Sequence, residues 1–224
     1  MSGQDEALLP AMLAASLHEV KNMLGELTLS LDALQQQCPQ QAAQIEEMRF
    51  VTRQVSDRMV QVLLLYKNDA GVLRPNIEAI PPADLLEEML MEARSLAGDR
   101  LVVSLEGEQA PPYAYFDRYL CEMALMNAIH NALRFAHSRI VIGVGRLGNA
   151  LCFSVEDDGP GYVPAVLQRA IEPGGHSRDG GTGLGLYFAD RVARLHCNNA
   201  GECGRVQLDN AGVLGGARFQ LILP

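Results

Sequence analysis

Ser16-Leu17-His18-Glu19-Val20-Lys21-Asn22 lies inside a heptad seam, and that seam decides the fold of the first part of the chain. Leu13, Leu17, Val20, Leu24, Leu27, Leu31 and Leu34 recur at alternating steps of four and three. This spacing buries one stripe of a long helix. His18 is one residue past the seam position Leu17, about 100° round the helix. Its imidazole should therefore lie at the edge of the stripe, near solvent, with Glu19 a further step round. A neutral imidazole is a nucleophile near neutral pH, and a neighbouring carboxylate can hold its tautomer or take its proton. Alone, such a pair is more often a surface coincidence than a site. The rest of the chain decides between the two.

The seam predicts a first helix from about residue 10, or a turn earlier, to Gln36, with residues 1–8 frayed and Pro10 in its first turn. Gln37-Cys38-Pro39-Gln40 breaks it. Ile45, Met48, Val51, Val55, Met59, Val62 and Tyr66 then mark a second amphipathic helix, giving an antiparallel hairpin. A hairpin of about 60 residues buries too little surface to stand alone. Two copies packed as a four-helix bundle would cover both stripes, so a homodimer is expected. The alternative is packing on the chain's own C-terminal domain.

The chain has 224 residues, 48% hydrophobic, with a net charge of −9. A packed core is expected, and the charge argues against nucleic acid. Five cysteines without a C-x-x-C pattern read as free thiols in a reducing compartment. Cys197 and Cys203 flank no zinc-type spacing with His196. No leader pattern is present, and the longest apolar runs, such as Val62-Leu63-Leu64-Leu65, fall far short of the ~20 residues that span a bilayer. The expectation is a soluble, cytoplasmic protein.

Lys67-Asn68-Asp69-Ala70-Gly71 reads as a linker, separating a hairpin domain (1–67) from a second domain (74–224). In the latter, Pro81-Pro82-Ala83-Asp84 opens a helix to Ala97, and Leu101–Leu105 is a strand. Asp117 caps a helix through Phe135. Arg139–Arg146 and Leu151–Glu156 form a hairpin around Gly148-Asn149. A helix over Leu184–Leu195 and strands over Arg205–Asp209 and Ala217–Leu223 complete an α+β pattern with helices on one face of the sheet.

Three clusters in that domain carry chemistry. Asn127, Asn131 and Arg134 fall on one helix face at i, i+4 and i+7. Amide oxygens suit Mg²⁺, and Arg suits phosphate. Asp157-Asp158-Gly159-Pro160-Gly161 follows a strand; its carboxylate can accept from an exocyclic amine, and its glycines admit a flat ligand. Gly180-Gly181-Thr182-Gly183-Leu184-Gly185-Leu186 runs into a helix, where free N–H groups favour polyphosphate. No Lys-Ser/Thr follows, so it is not a Walker A loop.

In this order the clusters, with His18-Glu19-Val20-Lys21-Asn22, resemble the two-component sensor histidine kinases over about residues 10–224. The His18 stretch resembles their phosphoacceptor motif. Asn127–Asn131 resembles the N box, Asp157–Gly161 the G1 box and Gly181–Gly185 the G2 box. The resemblance implies a dimerisation and histidine-phosphotransfer hairpin followed by a GHKL-type, α/β-sandwich (Bergerat-type) ATP-binding domain. It implies that His18 takes the γ-phosphate of ATP, that Glu19 is general base, and that Asn22 orients water for dephosphorylating a response regulator. It also implies that Asn131 holds Mg²⁺ and that Asn127 and Arg134 lie at the phosphates. Asp157 would read the adenine amine. Gly159, Gly161, Gly181, Gly183 and Gly185, with Thr182 and Leu184, would form the pocket and the hinge of a lid over 162–180.

The departures are Met23, where the family usually has Pro, and Ile171-Glu172-Pro173-Gly174, which keeps the frame of the F box without its phenylalanines. The implied activity is ATP-dependent autophosphorylation on His18 and transfer to an Asp of a response-regulator receiver domain; either the chain is the core of a longer protein, or its input arrives through a separate sensor or regulatory protein. The alternatives are a histidine phosphotransferase relay on a degenerate kinase fold that does not use ATP, and an anti-sigma-type binding switch.

Overall fold

The computed structural model describes residues 3–106, 110–167 and 183–224, with side chains from Glu19 onward apart from Lys21, Pro39 and Ala43. Its contacts divide the chain into two compact units after Leu73.

The first unit is a helical hairpin. Helix α1 spans Gly3–Gln37, a 3-10 turn covers Pro39–Gln41, and α2 spans Ala42–Asp69. Helix α1 begins earlier than the sequence suggested. Pro10 falls inside it, where it cannot donate its backbone rung. The stretch Lys67-Asn68-Asp69 is the last turn of α2 and not a linker. A basic residue suits that end of the helix dipole. The break comes at Gly71, whose φ of +69° lets Val72 N–H and Leu73 N–H turn back onto the Lys67 carbonyl at 3.0 and 3.1 Å.

Leu31, Ile45, Thr52, Gln61 and Leu65 are buried between the helices. Arg49 of α2 pairs with Asp32 of α1 and donates to Gln35 Oε1 (2.9 Å) and Glu46 Oε1 (2.8 Å), tying the helices near the turn. The two apolar stripes are only partly covered. Met23, Leu27, Leu34, Met48, Val51, Val55 and Val62 remain exposed in the single chain.

The second unit, Arg74–Pro224, is built on a five-stranded sheet of order β2-β4-β5-β7-β6. Its strands are β2 (Val102–Glu106), β4 (Arg139–Leu147), β5 (Ala150–Asp157), β6 (Arg205–Asp209) and β7 (Arg218–Leu223). Only β2 and β4 pair in parallel. Helices α3 (Pro82–Ala97), α4 (Arg118–Phe135) and α6 (Leu184–Leu195) form one layer against it. The register sets Val144, Phe153 and Leu221 side by side, and likewise Ile142, Val155 and Phe219, all turned to the helices. The alternate row Gly143, Ser154, Gln220 and Gln207 carries the opposite face. Phe116 meets Phe153 edge-on at 5.5 Å in the core.

Strands β1 (Glu78–Ile80) and β3 (Ala114–Phe116) make a small antiparallel sheet, and α5 (Pro164–Leu167) is a single turn. Neither was expected. Elements of three and four residues are too short to show a period. Cys197 and Cys203 are joined by a disulfide, which corrects the reading of all cysteines as free thiols. They face each other across a tight bridge that a spacing of six residues does not reveal. Cys38, Cys121 and Cys152 are free.

Candidate functional site

Helix α4 carries the first cluster because its apolar side is used up elsewhere. Leu120, Cys121, Ala124, Leu125, Ala128, Ile129, Ala132 and Leu133 are buried, leaving Asn127 half-buried and Asn131 and Arg134 exposed. Asp117 caps the helix, accepting from Leu120 N–H at 2.9 Å and, on its other oxygen, from Asn76 N–H at 2.7 Å. The Asp117 N–H donates to His196 Nε2 at 2.9 Å, and the other ring nitrogen of His196 lies 2.8 Å from the Val192 carbonyl. His196 is therefore a neutral imidazole linking the start of α4 to the end of α6. Burial lowers its pKa, in keeping with that role. Both ring nitrogens are engaged in these contacts, Cys197 and Cys203 are tied up in the disulfide, and the free Cys121 thiol lies 3.8 Å from His196 Nε2 in the core. Among the described residues no cluster of His, Cys, Asp and Glu could hold a metal.

Asp157 ends β5 and is 5% exposed. Its Oδ1 accepts from Gly159 N–H (2.8 Å) and Ala217 N–H (3.3 Å). Its Oδ2 accepts nothing among the described residues, which leaves one carboxylate oxygen for an external donor. Burial raises the Asp157 pKa, and the two N–H donors oppose that rise.

The backbone here is packed to the limit. A Cβ on Gly159 would come within 2.4 Å of the Phe135 carbonyl oxygen, and one on Gly216 within 2.3 Å of the Asp157 carbonyl oxygen. Gly161 has a φ of +77°. Asp158 turns the other way. It accepts from the N–H groups of His137, Ser138 and Arg139 and from the Ser138 hydroxyl, which holds its carboxyl well below the usual range despite some desolvation. It ties the end of β5 to the α4–β4 connection.

Gly183 begins α6 in the left-handed region (φ +66°) and offers no side-chain cap. Among the described residues, the first N–H groups of α6, including those of Leu184 and Gly185, thus have neither a helical partner nor a capping side chain, the condition that favours an anion. A Cβ on Gly185 would sit 3.1 Å from Asn127 Oδ1, so the third sequence cluster closes onto the first. Gly181, Thr182, the segment Ile171-Glu172-Pro173-Gly174 and most of the expected lid lie outside the described residues.

The structure thus brings Asn127 against Gly185, and Asp157 together with Gly159. Asn131 and Arg134 follow on the exposed side of the same helix, with the Arg134 guanidinium 5.1 Å from the Phe135 ring centroid. In the first unit, His18 lies within α1, and Glu19 and Asn22 are exposed on it. The sequence reading missed Gly216 and Ala217, which fix Asp157 from about 60 residues away, and Asn210, described below. The only signal was the pair Gly215-Gly216 before a strand.

Comparison with known proteins agrees with this geometry. The family described as histidine kinase-, DNA gyrase B- and HSP90-like ATPase matches residues 117–224. The sensor protein RstB of Escherichia coli K12 is 39% identical over 118 residues, half of this chain and 26% of that protein. The sensor histidine kinase CpxA of the same organism is 26% identical over 222 residues, 95% of this chain and 46% of that protein. The sensor protein kinase PmrB of Pseudomonas aeruginosa is 30% identical over 82% of this chain and 40% of its own length.

Among solved structures, full-length ShkA in complex with AMPPNP shares the fold at a TM-score of 0.71 and 21% identity, over 96% of this chain and 46% of that one. The histidine kinase AdeS of Acinetobacter baumannii does so at 0.61 and 20%, over 86% and 94%. Residues 117–224 match the GHKL-type ATPase domain, and over 95% of its length the chain is similar to a sensor histidine kinase. It spans between 26% and 46% of the length of these curated relatives.

Proposed function

We propose that the chain is the catalytic core of an ATP-dependent protein-histidine kinase that phosphorylates itself on His18. It then passes the phosphoryl group to an Asp of a response-regulator receiver domain. The observation that carries this is the buried Asp157 carboxylate with one oxygen left open, in the same unit as the uncapped, glycine-led start of α6. That oxygen is not buried away from solvent, so an incoming donor can take the place of water on it, and the adenine amine is such a donor.

In this reading Asp157 selects the base, and Gly159 and Gly161 admit the ring. The N–H groups at Gly183, Leu184 and Gly185, with Arg134 and Asn127, meet the phosphates. The same role is proposed for Gly181 and Thr182 from the sequence. Asn131 would hold Mg²⁺, which neutralises phosphate charge when bound. An imidazole nitrogen of His18 forms the new P–N bond as the bond from the γ-phosphorus to the ADP oxygen breaks, and Glu19 accepts the imidazole proton. Asn22, one turn beyond His18, orients water when the same hairpin dephosphorylates its regulator.

The hairpin (1–67) is the dimerisation and phosphotransfer element, and 74–224 the ATP-binding element. ATP and receiver domains place this core in the cytoplasm, where an exposed disulfide is open to reduction. A relay that dispenses with ATP leaves the Asp157 oxygen without a function.

The test is incubation with γ-labelled ATP and Mg²⁺. Acid-labile label is expected on the wild type and absent from His18→Gln. Addition of a receiver domain should move the label to it. With Asn22→Ala, label on the receiver should persist longer; equal persistence removes Asn22 from that role.

A further inference from the structure

The β6–β7 connection, residues 210–217, is folded under the end of β5 and holds it at several points. Val213 N–H donates to Glu156 Oε2 at 2.9 Å, Gly216 N–H to the Asp157 carbonyl at 3.1 Å, and Ala217 N–H to Asp157 Oδ1 at 3.3 Å. The connection is itself anchored by Arg218, which donates two bonds of 2.9 Å to Asp209.

One side chain in it does something different. Asn210 Oδ1 accepts from Tyr162 N–H at 2.8 Å, and Asn210 Nδ2 donates to the Tyr162 carbonyl at 2.9 Å. The amide thus engages both polar groups of a single backbone residue, as a neighbouring strand would. It also lies flat against Gly161. A Cβ there would stand 2.8–2.9 Å from the Asn210 amide atoms, and Gly161 has the positive φ (+77°) that brings Tyr162 into register with that amide. Only a side-chain amide carries an acceptor and a donor at this span; Asp keeps the acceptor alone, and Ala keeps neither.

We infer that Asn210 is a positioning residue for the nucleoside end of the site. It acts through Gly161 and Tyr162, and the inference rests on the nucleotide reading above. The chain from Asp157 to Tyr162 is held on one side by Gly159 against Phe135 and on the other by Asn210. Release of the second hold lets Gly161 drift relative to the open Asp157 oxygen. The consequence should fall on base recognition. Adenine presents an amine donor where guanine presents an oxygen, so a displaced carboxylate loses its power to tell them apart. Asn210 is exposed on the surface, and its removal leaves the core untouched.

The experiment measures ADP and GDP binding by titration calorimetry on the full chain, as wild type, Asn210→Ala and Asn210→Asp. For Asn210→Ala the expected result is ADP binding weaker by about tenfold, the scale of one or two lost hydrogen bonds, with the ADP-over-GDP preference falling by a similar factor. Asn210→Asp should lie between Asn210→Ala and wild type, because it retains the contact to Tyr162 N–H. It also supplies the answer if Asn210→Ala fails to fold. An unchanged ADP-over-GDP ratio overturns the inference, whether both affinities hold or both fall together, since a merely structural role moves them equally. A wild type that binds ADP separates that failure from failure of the nucleotide reading. A wild type that binds no ADP overturns both.

Discussion

At the scale of single residues, Asp157 separates stability from function. Its carboxyl is pushed up by burial, so the folded chain holds that proton to a higher pH than the unfolded chain does. Between the two ranges the folded state binds more protons. Stability therefore falls as pH rises through that window and stays lower at neutral pH. Asp157→Asn keeps the Oδ1 acceptor and removes the charge. It should melt at or above the wild-type temperature at pH 7, with that difference vanishing in acid below the ordinary Asp range. ADP binding should meanwhile weaken by about 10- to 100-fold, the scale of a hydrogen bond to a charged group. A variant that is less stable at pH 7 yet binds normally would contradict both halves. The place of Asp157 at the end of a strand was legible in the sequence, because D-x-G-x-G after a strand is a local pattern. Its support by Ala217 and Gly216, and the clamp of Asp158 on the α4–β4 connection, were not. Those partners are 20 to 60 residues away, and nothing local marks them.

At the scale of elements, helices and long strands could be read because periodicity is a property of eight or more residues. Helix α6 (Leu184–Leu195) and the β4–β5 hairpin around Gly148 fall where the pattern put them. The short sheet β1–β3, the disulfide and the early start of α1 were hidden. They depend on three-residue runs, on a chain reversal and on a proline tolerated inside a helix. The glycines divide by what they touch. Gly159→Ala would drive a Cβ into the Phe135 backbone oxygen, which cannot swing away, and should cost about 1–3 kcal/mol. That is roughly 2–4 °C of melting temperature per kcal/mol. Gly185→Ala meets first the Asn127 side chain, at 3.1 Å. It should melt near the wild type while weakening nucleotide binding through displacement of Asn127. Thermal melts paired with ADP titration check both, and the reverse ranking would show that the two contacts are misassigned.

At the scale of the whole molecule, the two helices of the hairpin leave an apolar surface that they do not cover between them. Leu27 (46% exposed), Met48 (53%), Val51 (52%) and Val55 (41%) share it, and the last three sit at i, i+3 and i+7 of α2. A surface of that kind calls for a second copy, as the heptad seam suggested. Sedimentation should find a dimer, and Leu27→Asp with Val55→Asp should shift it to monomer without unfolding the ATPase unit. A wild type that sediments as a monomer at micromolar concentration would remove the bundle. The seam also explains why His18 is where it is, on a long stem beside an exposed Glu19. The measurement that tests the central claim most directly is therefore phosphate on that histidine. With γ-labelled ATP and Mg²⁺, the expected result is acid-labile, base-stable label on the wild type and none on His18→Gln, both proteins binding ADP equally. Label retained by His18→Gln, or none on a wild type that binds ADP, would contradict it.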